Sequence, residues 1–234
     1  TKSSMCWQLF LLNIKPWWRT LLKRQLLLPL FVLPMFILQL SYTDFGTWTE
    51  YVKIFYLFIV MSFGFLLLLS SYTLRIESHF INLVYTWHYK TLYSYFISKC
   101  IIGAFFTLIY FLLYYFIVPM QLEVFLGSSV FSIGMSCCLG LLAIPYNNYS
   151  LDLFDMAKMR ANSMKGFVGY LTVVIMILIT VILCMPIYFA LPTYVYWIYF
   201  AVGFPLIILM PLWIKISVKQ IVKRKYTLID SLSK

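Results

Sequence analysis

The chain is expected to be an all-α polytopic membrane protein, and three observations predict this. Of its 234 residues, 63% are hydrophobic and only 11% are charged. Its mean hydropathy is +0.92. Apolar runs long enough to cross a hydrocarbon core of roughly 30 Å recur along it, whereas alternating barrel strands of about ten residues do not. A soluble domain of this length could not bury so much apolar surface.

Six transmembrane helices follow from these runs. They are expected at about 25–40, 54–73, 100–118, 124–145, 167–185 and 194–214. The first is short and carries Pro29 and Pro34, which predicts a kink or a partly re-entrant segment. Spans three and four are joined by a tight turn over 119–123, and spans five and six by a short loop holding Pro186 and Pro192. Six spans divide the chain into an interfacial segment (1–24), a transmembrane domain (25–217) and a basic cytoplasmic tail (218–234).

Orientation follows from the basic residues, which concentrate on the cytoplasmic side of membrane proteins. With six spans and the N-terminus inside, 17 of the 18 basic residues fall in cytoplasmic segments, and Lys53 alone falls outside. The reading is therefore a plasma (inner) membrane protein with both termini cytoplasmic. This asymmetry also accounts for the net charge of +11 and removes the reason to expect nucleic acid as a partner.

The N-terminal segment places Trp7, Phe10, Leu11, Ile14, Trp18 and Leu21 on one side of a helix, with Lys15, Arg19 and Lys23 every four residues. That pattern predicts an amphipathic helix in the lipid interface rather than a cleavable signal, with Trp7, Trp17 and Trp18 at headgroup level and Lys15, Arg19 and Lys23 toward anionic lipid. Beyond span six, Lys215, Lys219 and Lys223 repeat the four-residue spacing, so the last helix is expected to continue past the membrane with a basic stripe. In span four, Ser128, Ser132, Ser136 and Gly140 recur every four residues. Small residues so spaced let helices approach closely or line a polar conduit. The cysteines (Cys6, Cys100, Cys137, Cys138 and Cys184) lack metal-ligand spacing and read as small packing residues.

No catalytic or metal site is expected. His79 and His88 are nine residues apart and do not share a helix face. HExxH, GxSxG and P-loop patterns are all missing from the sequence. The cytoplasmic stretch between spans two and three instead reads as a helix along the membrane surface. Phe80, Leu83, Val84 and Trp87 form one apolar stripe. His79, Asn82, Thr86 and Lys90 form an offset polar face, and Glu77 stands where span two leaves the membrane.

This arrangement resembles the export permeases of the ABC transporter superfamily, in particular the type V group. There the second span ends in a Glu, followed by an amphipathic stretch and a Lys before the third span. IESHFINLVYTWHYKTLYSYFISK follows that layout, with Glu77 and Lys99 in the Glu and Lys positions. YNNYSLDLFDMAKMRANSMKG, before span five, is similar to a family of multipass bacterial proteins related to such permeases. The chain departs from the pattern in having no Pro between Glu77 and Lys99, and in reducing the re-entrant helices before the last span to about CMPIYFALPTY.

The resemblance implies that residues 79–95 form a coupling helix docking on a separate cytosolic ATP-binding-cassette ATPase through Glu77, His79, Phe80, Leu83, Val84, Trp87 and Lys90. It implies no cofactor in this chain, ATP and Mg on the partner subunit, and a second permease copy completing a dimer. Two other functions stay open from the residues themselves: a six-helix substrate-binding subunit of an import system, and an intramembrane enzyme.

Overall fold

A computed structural model of the chain describes residues 88–117, 122–146 and 194–232, and six helical positions between 171 and 182. The expected spans 25–40 and 54–73, and the N-terminal interfacial helix, lie outside the described residues. Every described element is helical: α1 (Tyr89–Ile117), α2 (Leu122–Ala143) closed by a 3₁₀ turn (Ile144–Tyr146), α3 (Tyr194–Ile208), α4 (Met210–Lys223) and α5 (Lys225–Leu232). Two stretches, Tyr89–Ile109 and Phe125–Tyr146, are each long and apolar enough to cross a membrane, and the bent pair α3–α4 makes a third if counted as one span.

α1 is 29 residues long without a break, which at 1.5 Å per residue is about 43 Å. It therefore exceeds a hydrocarbon core by roughly 13 Å. Sequence reading ends a coupling helix at 95 and starts a span at 100, but no helix end falls between them. The reason is local: residues 88–102 contain no Gly or Pro, and a change from polar to apolar side chains does not interrupt backbone hydrogen bonding. The His88 carbonyl accepts the N–H groups of Thr91 and Leu92 at 2.9 and 3.1 Å and so opens the helix.

α1 and α2 run antiparallel. At one end, Phe125 of α2 meets Phe111 and Tyr115 of α1, with centroids 6.3 and 5.6 Å apart. At the other, Leu92, Tyr95, Phe96 and Cys100 of α1 share a core with Cys137, Leu141 and Ile144. α2 begins and ends within two residues of expectation.

α3 lies parallel to α2 at very short range. A Cβ added to Gly127 would stand 2.5 Å from the Tyr196 carbonyl oxygen, and one on Gly134 would stand 2.4 Å from that of Gly203. One on Gly203 would stand 2.5 Å from the Phe131 Cα. Both pairings share one register, which fixes the relative direction of the helices. Lipid tails are as apolar as the side chains, so helix association here comes from close van der Waals packing. Phe131 and Tyr199, both fully buried, pack edge to face across the seam at 4.8 Å.

Between α3 and α4 the axis bends by 53°. Pro211 supplies no N–H to the preceding turn and its ring crowds the carbonyl four residues back, so a straight helix fails here. Backbone groups on either side of the bend are nonetheless paired. Leu209 N–H donates to the Pro205 carbonyl at 2.9 Å, and the Leu209 carbonyl accepts from Leu212 and Trp213 N–H. The Leu206 carbonyl accepts from the Trp213 indole Nε1 at 3.3 Å. In an apolar surrounding an unsatisfied carbonyl is costly, which gives the indole its role. The helix expected to run straight over 194–214 is thus bent beyond Ile208.

α4 then crosses α1 and α2, burying Ile214, Ser217, Val218 and Ile221. Leu228 of α5 closes the same core. Of the expected fifth span, residues 171, 174, 175, 178, 179 and 182 are described. All six are helical and apolar, and Leu171, Val174, Leu178 and Ile182 are exposed along one side, as a lipid-facing stripe requires.

Candidate functional site

The start of α1, the end of α2 and the whole of α4 meet at one end of the bundle, and all seven basic residues among the described ones belong to it: Lys90, Lys99, Lys215, Lys219, Lys223, Arg224 and Lys225. The opposite end carries Glu123, in the first turn of α2. Three of these cations have distinct surroundings.

Lys90 is exposed in the first turn of α1, and its carbonyl accepts the Ser94 hydroxyl at 3.0 Å. Lys99 is only 7% exposed. Its stem packs inside the bundle while Nζ reaches back one turn to lie 5.1 Å from the centroid of the Tyr95 ring. That direction carries the charge toward the basic end, as a snorkelling lysine on a helix does. Arg224 caps the end of α4 and donates from a guanidinium nitrogen to the Pro145 carbonyl at 3.2 Å. It also lies 4.7 Å from the Tyr146 ring centroid. Pro145 and Tyr146 end α2 in a 3₁₀ turn, so Arg224 ties the two helix ends together.

On α4, Leu212, Lys215, Lys219, Val222 and Lys223 are all exposed. They occupy the side away from Ile214, Val218 and Ile221, so the basic stripe expected from the four-residue spacing is present on a helix of its own. Of the ATPase-facing residues, Lys90 is the one that is described. Glu77, His79, Phe80, Leu83, Val84 and Trp87 lie outside the described residues, as do Trp7, Lys15, Trp17, Trp18, Arg19 and Lys23.

The small-residue row of α2 is buried throughout: Ser128, Ser132 and Ser136 have no exposed surface and Gly140 is buried. Ser128 donates to the carbonyl of Phe125 at 3.2 Å. Ser98 and Thr107 of α1 likewise donate to carbonyls three and four residues back, at 2.7 and 2.9 Å. Such bonds keep hydroxyls satisfied within an apolar helix. The glycine seam to α3 runs along an adjoining face through Gly127, Phe131 and Gly134. The seven-residue spacing of the two glycines was the available signal, but its partner Gly203 is 69 residues further on.

Two thiols meet between α1 and α2. Cys100 and Cys137 are both buried in the shared core, and Cys137 Sγ lies 4.0 Å from Met210 Sδ. Cys100, Cys137 and Cys138 are free. Among the described residues, no three His, Cys, Asp or Glu side chains come together as a metal site would need.

No family model, curated protein or solved structure matches this chain. The chemistry of the described region is therefore read from its own geometry: helices of membrane length, one basic end, and a tilted cationic helix across that end.

Proposed function

We propose that this chain is the membrane-spanning permease subunit of an ATP-driven ABC-type exporter, coupling a separate cytosolic ATPase to translocation and working beside a second permease copy. The observation that carries the reading is the position and length of α1. It begins directly after the Glu77–Trp87 segment, is longer than a hydrocarbon core is thick, and starts at the basic end, which the positive-inside rule would place in the cytoplasm. A cytosolic partner meeting that segment would push on the end of a helix about 43 Å long with no break in it. Rigid-body displacement of such a rod is a direct way to move a helix bundle between inward- and outward-facing arrangements. ATP and Mg act on the partner, and this chain supplies the docking surface and the path.

The six-span topology is part of the proposal. It is supported by the parallel run of α2 and α3, since two parallel spans need an odd number of crossings between them and the apolar run 167–185 is long enough for one. Both termini then lie on the cytoplasmic side of the plasma (inner) membrane. Abundant aromatics and the lack of charged residues near the middle of the expected spans suit a lipid-linked, apolar or amphipathic cargo.

The test is purification of the full chain in mild detergent from its native cell, with protein identification of what comes with it. An ATPase carrying a P-loop is expected, and its ATP turnover in liposomes should fall at least tenfold when Trp87 or Glu77 is replaced by alanine. Recovery of the chain without any ATPase, together with unchanged export by both variants, would sink the reading.

A further inference from the structure

The bent pair α3–α4 brings a row of cations to a defined depth. α3 has 15 residues, about 22 Å, which is too short to cross a hydrocarbon core of about 30 Å. α4 has 14 residues, about 21 Å, and at 53° roughly 13 Å of that runs along the α3 direction. The pair together reaches about 35 Å, so the crossing is completed inside α4. By the same reckoning Lys215 stands about 27 Å from the start of α3, Lys219 about 31 Å and Lys223 about 34 Å. With α3 starting at the far edge of the hydrocarbon and running along its normal, these depths bracket the boundary between hydrocarbon and headgroups.

The three lysines cannot turn inward, because the opposite face of α4 is held by Ile214, Val218 and Ile221 in the core. They share their exposed side with Leu212 and Val222, which are 46% and 51% exposed. Apolar side chains beside cations on one tilted helix suit acyl chains below and phosphates above. α4 contains no Asp or Glu to neutralise the stripe. Because the stripe starts at hydrocarbon depth, lipid reaches it before any cytosolic protein can.

We infer that the exposed face of α4 is a binding site for anionic phospholipid headgroups, with Lys215, Lys219 and Lys223 on the phosphates and Leu212 against the acyl chains. The inference rests on the membrane reading of the helices and is independent of the transport proposal. Each lysine near an anionic surface strengthens association about fivefold, so the three together give a preference on the order of a hundredfold over zwitterionic lipid.

The experiment titrates phosphatidylglycerol, and separately phosphatidylcholine, into the detergent-solubilised full chain and counts bound lipids by native mass spectrometry. The wild type is expected to prefer phosphatidylglycerol, with binding falling as salt rises. The triple variant K215Q/K219Q/K223Q should lose that preference, and K215R/K219R/K223R should keep it. A photoactivatable phosphatidylglycerol should label peptides within 210–223 of the wild type, a readout that needs no variant to fold. Equal binding of the two lipids, an unchanged triple glutamine variant, or labelling confined to other helices would overturn the site. Displacement of phosphatidylglycerol by inorganic phosphate alone would reassign it to a free anion. Protection of the stripe from the lipid probe by a bound acidic protein would reassign it to that partner.

Discussion

α3 and α4 are consecutive, both pack on α2, and do so by opposite means. α3 is held by what its contact face lacks: at Gly127, Gly134 and Gly203 there is no Cβ, so the backbones meet directly. α4 is held by what its contact face carries, a row of Ile214, Val218 and Ile221 set against an opposite row of lysines. The difference follows the solvent. Deep in the membrane no polar phase drives side chains together, so contact depends on close fit. Near the headgroups water and charge return, and segregation of apolar from cationic faces becomes effective again.

The largest expected effect tests the seam. Gly134→Ala or Gly203→Ala puts a methyl carbon against backbone atoms that cannot turn aside, and should destabilise the chain by about 3 kcal/mol or more, at the upper end of overpacking costs. Thermal unfolding in detergent, followed by size exclusion, should show loss of the monodisperse species. Lys219→Ala on α4, by contrast, should change stability by less than about 0.5 kcal/mol. Equal effects from the two substitutions would erase the distinction drawn between the helices.

Arg224→Ala removes both the bond to the Pro145 carbonyl and the contact with Tyr146. About 2 kcal/mol of local stability should be lost, given a charge-assisted hydrogen bond and a partly exposed cation–π contact. Hydrogen exchange should rise across 225–232 and stay unchanged in α3. Protection that stays intact would mean the tie is dispensable. Trp213→Phe keeps the ring and deletes the donor to Leu206, at an expected cost of about 1–2 kcal/mol for an orphaned carbonyl. Spin labels on α3 and α4 should report a broader distribution of bend angles, and an unchanged distribution would show that the prolines alone set the bend.

The smallest effect is a gain. The Ser217 hydroxyl lies in the apolar face of α4 with no hydrogen-bond partner among the described residues. Ser217→Ala should leave stability unchanged or raise it by up to about 1 kcal/mol, since it removes a desolvated polar group. Denaturant unfolding in mixed micelles would detect the sign.

Much of this could be read from the amino-acid pattern. The bounds of α2 and the lysine period of α4 are local features, and each emerges where expected. Three features did not, for different reasons. Gly127, Gly134 and Gly203 form a seam only across helices far apart in sequence, which no local spacing contains. Pro205 and Pro211 were visible, but an apolar window averages over a bend and reports one continuous span. The stretch from Tyr89 to Cys100 alternates polar and aromatic residues, which resembles a boundary in hydropathy while the backbone continues through it. Of the expected ATPase-facing residues, Lys90 is exposed where α1 begins, and the rest of that surface lies outside the described helices.

The Trp213–Leu206 bond has a mechanical consequence. It makes the junction of α3 and α4 a braced elbow, with a forearm of about 21 Å. A change of ten degrees at that elbow would swing the far end by roughly 4 Å, on the scale of the helix shifts seen in conformational transitions. Because Arg224 fastens that far end to the tip of α2, the forearm and α2 would have to move as one piece, or part at the guanidinium.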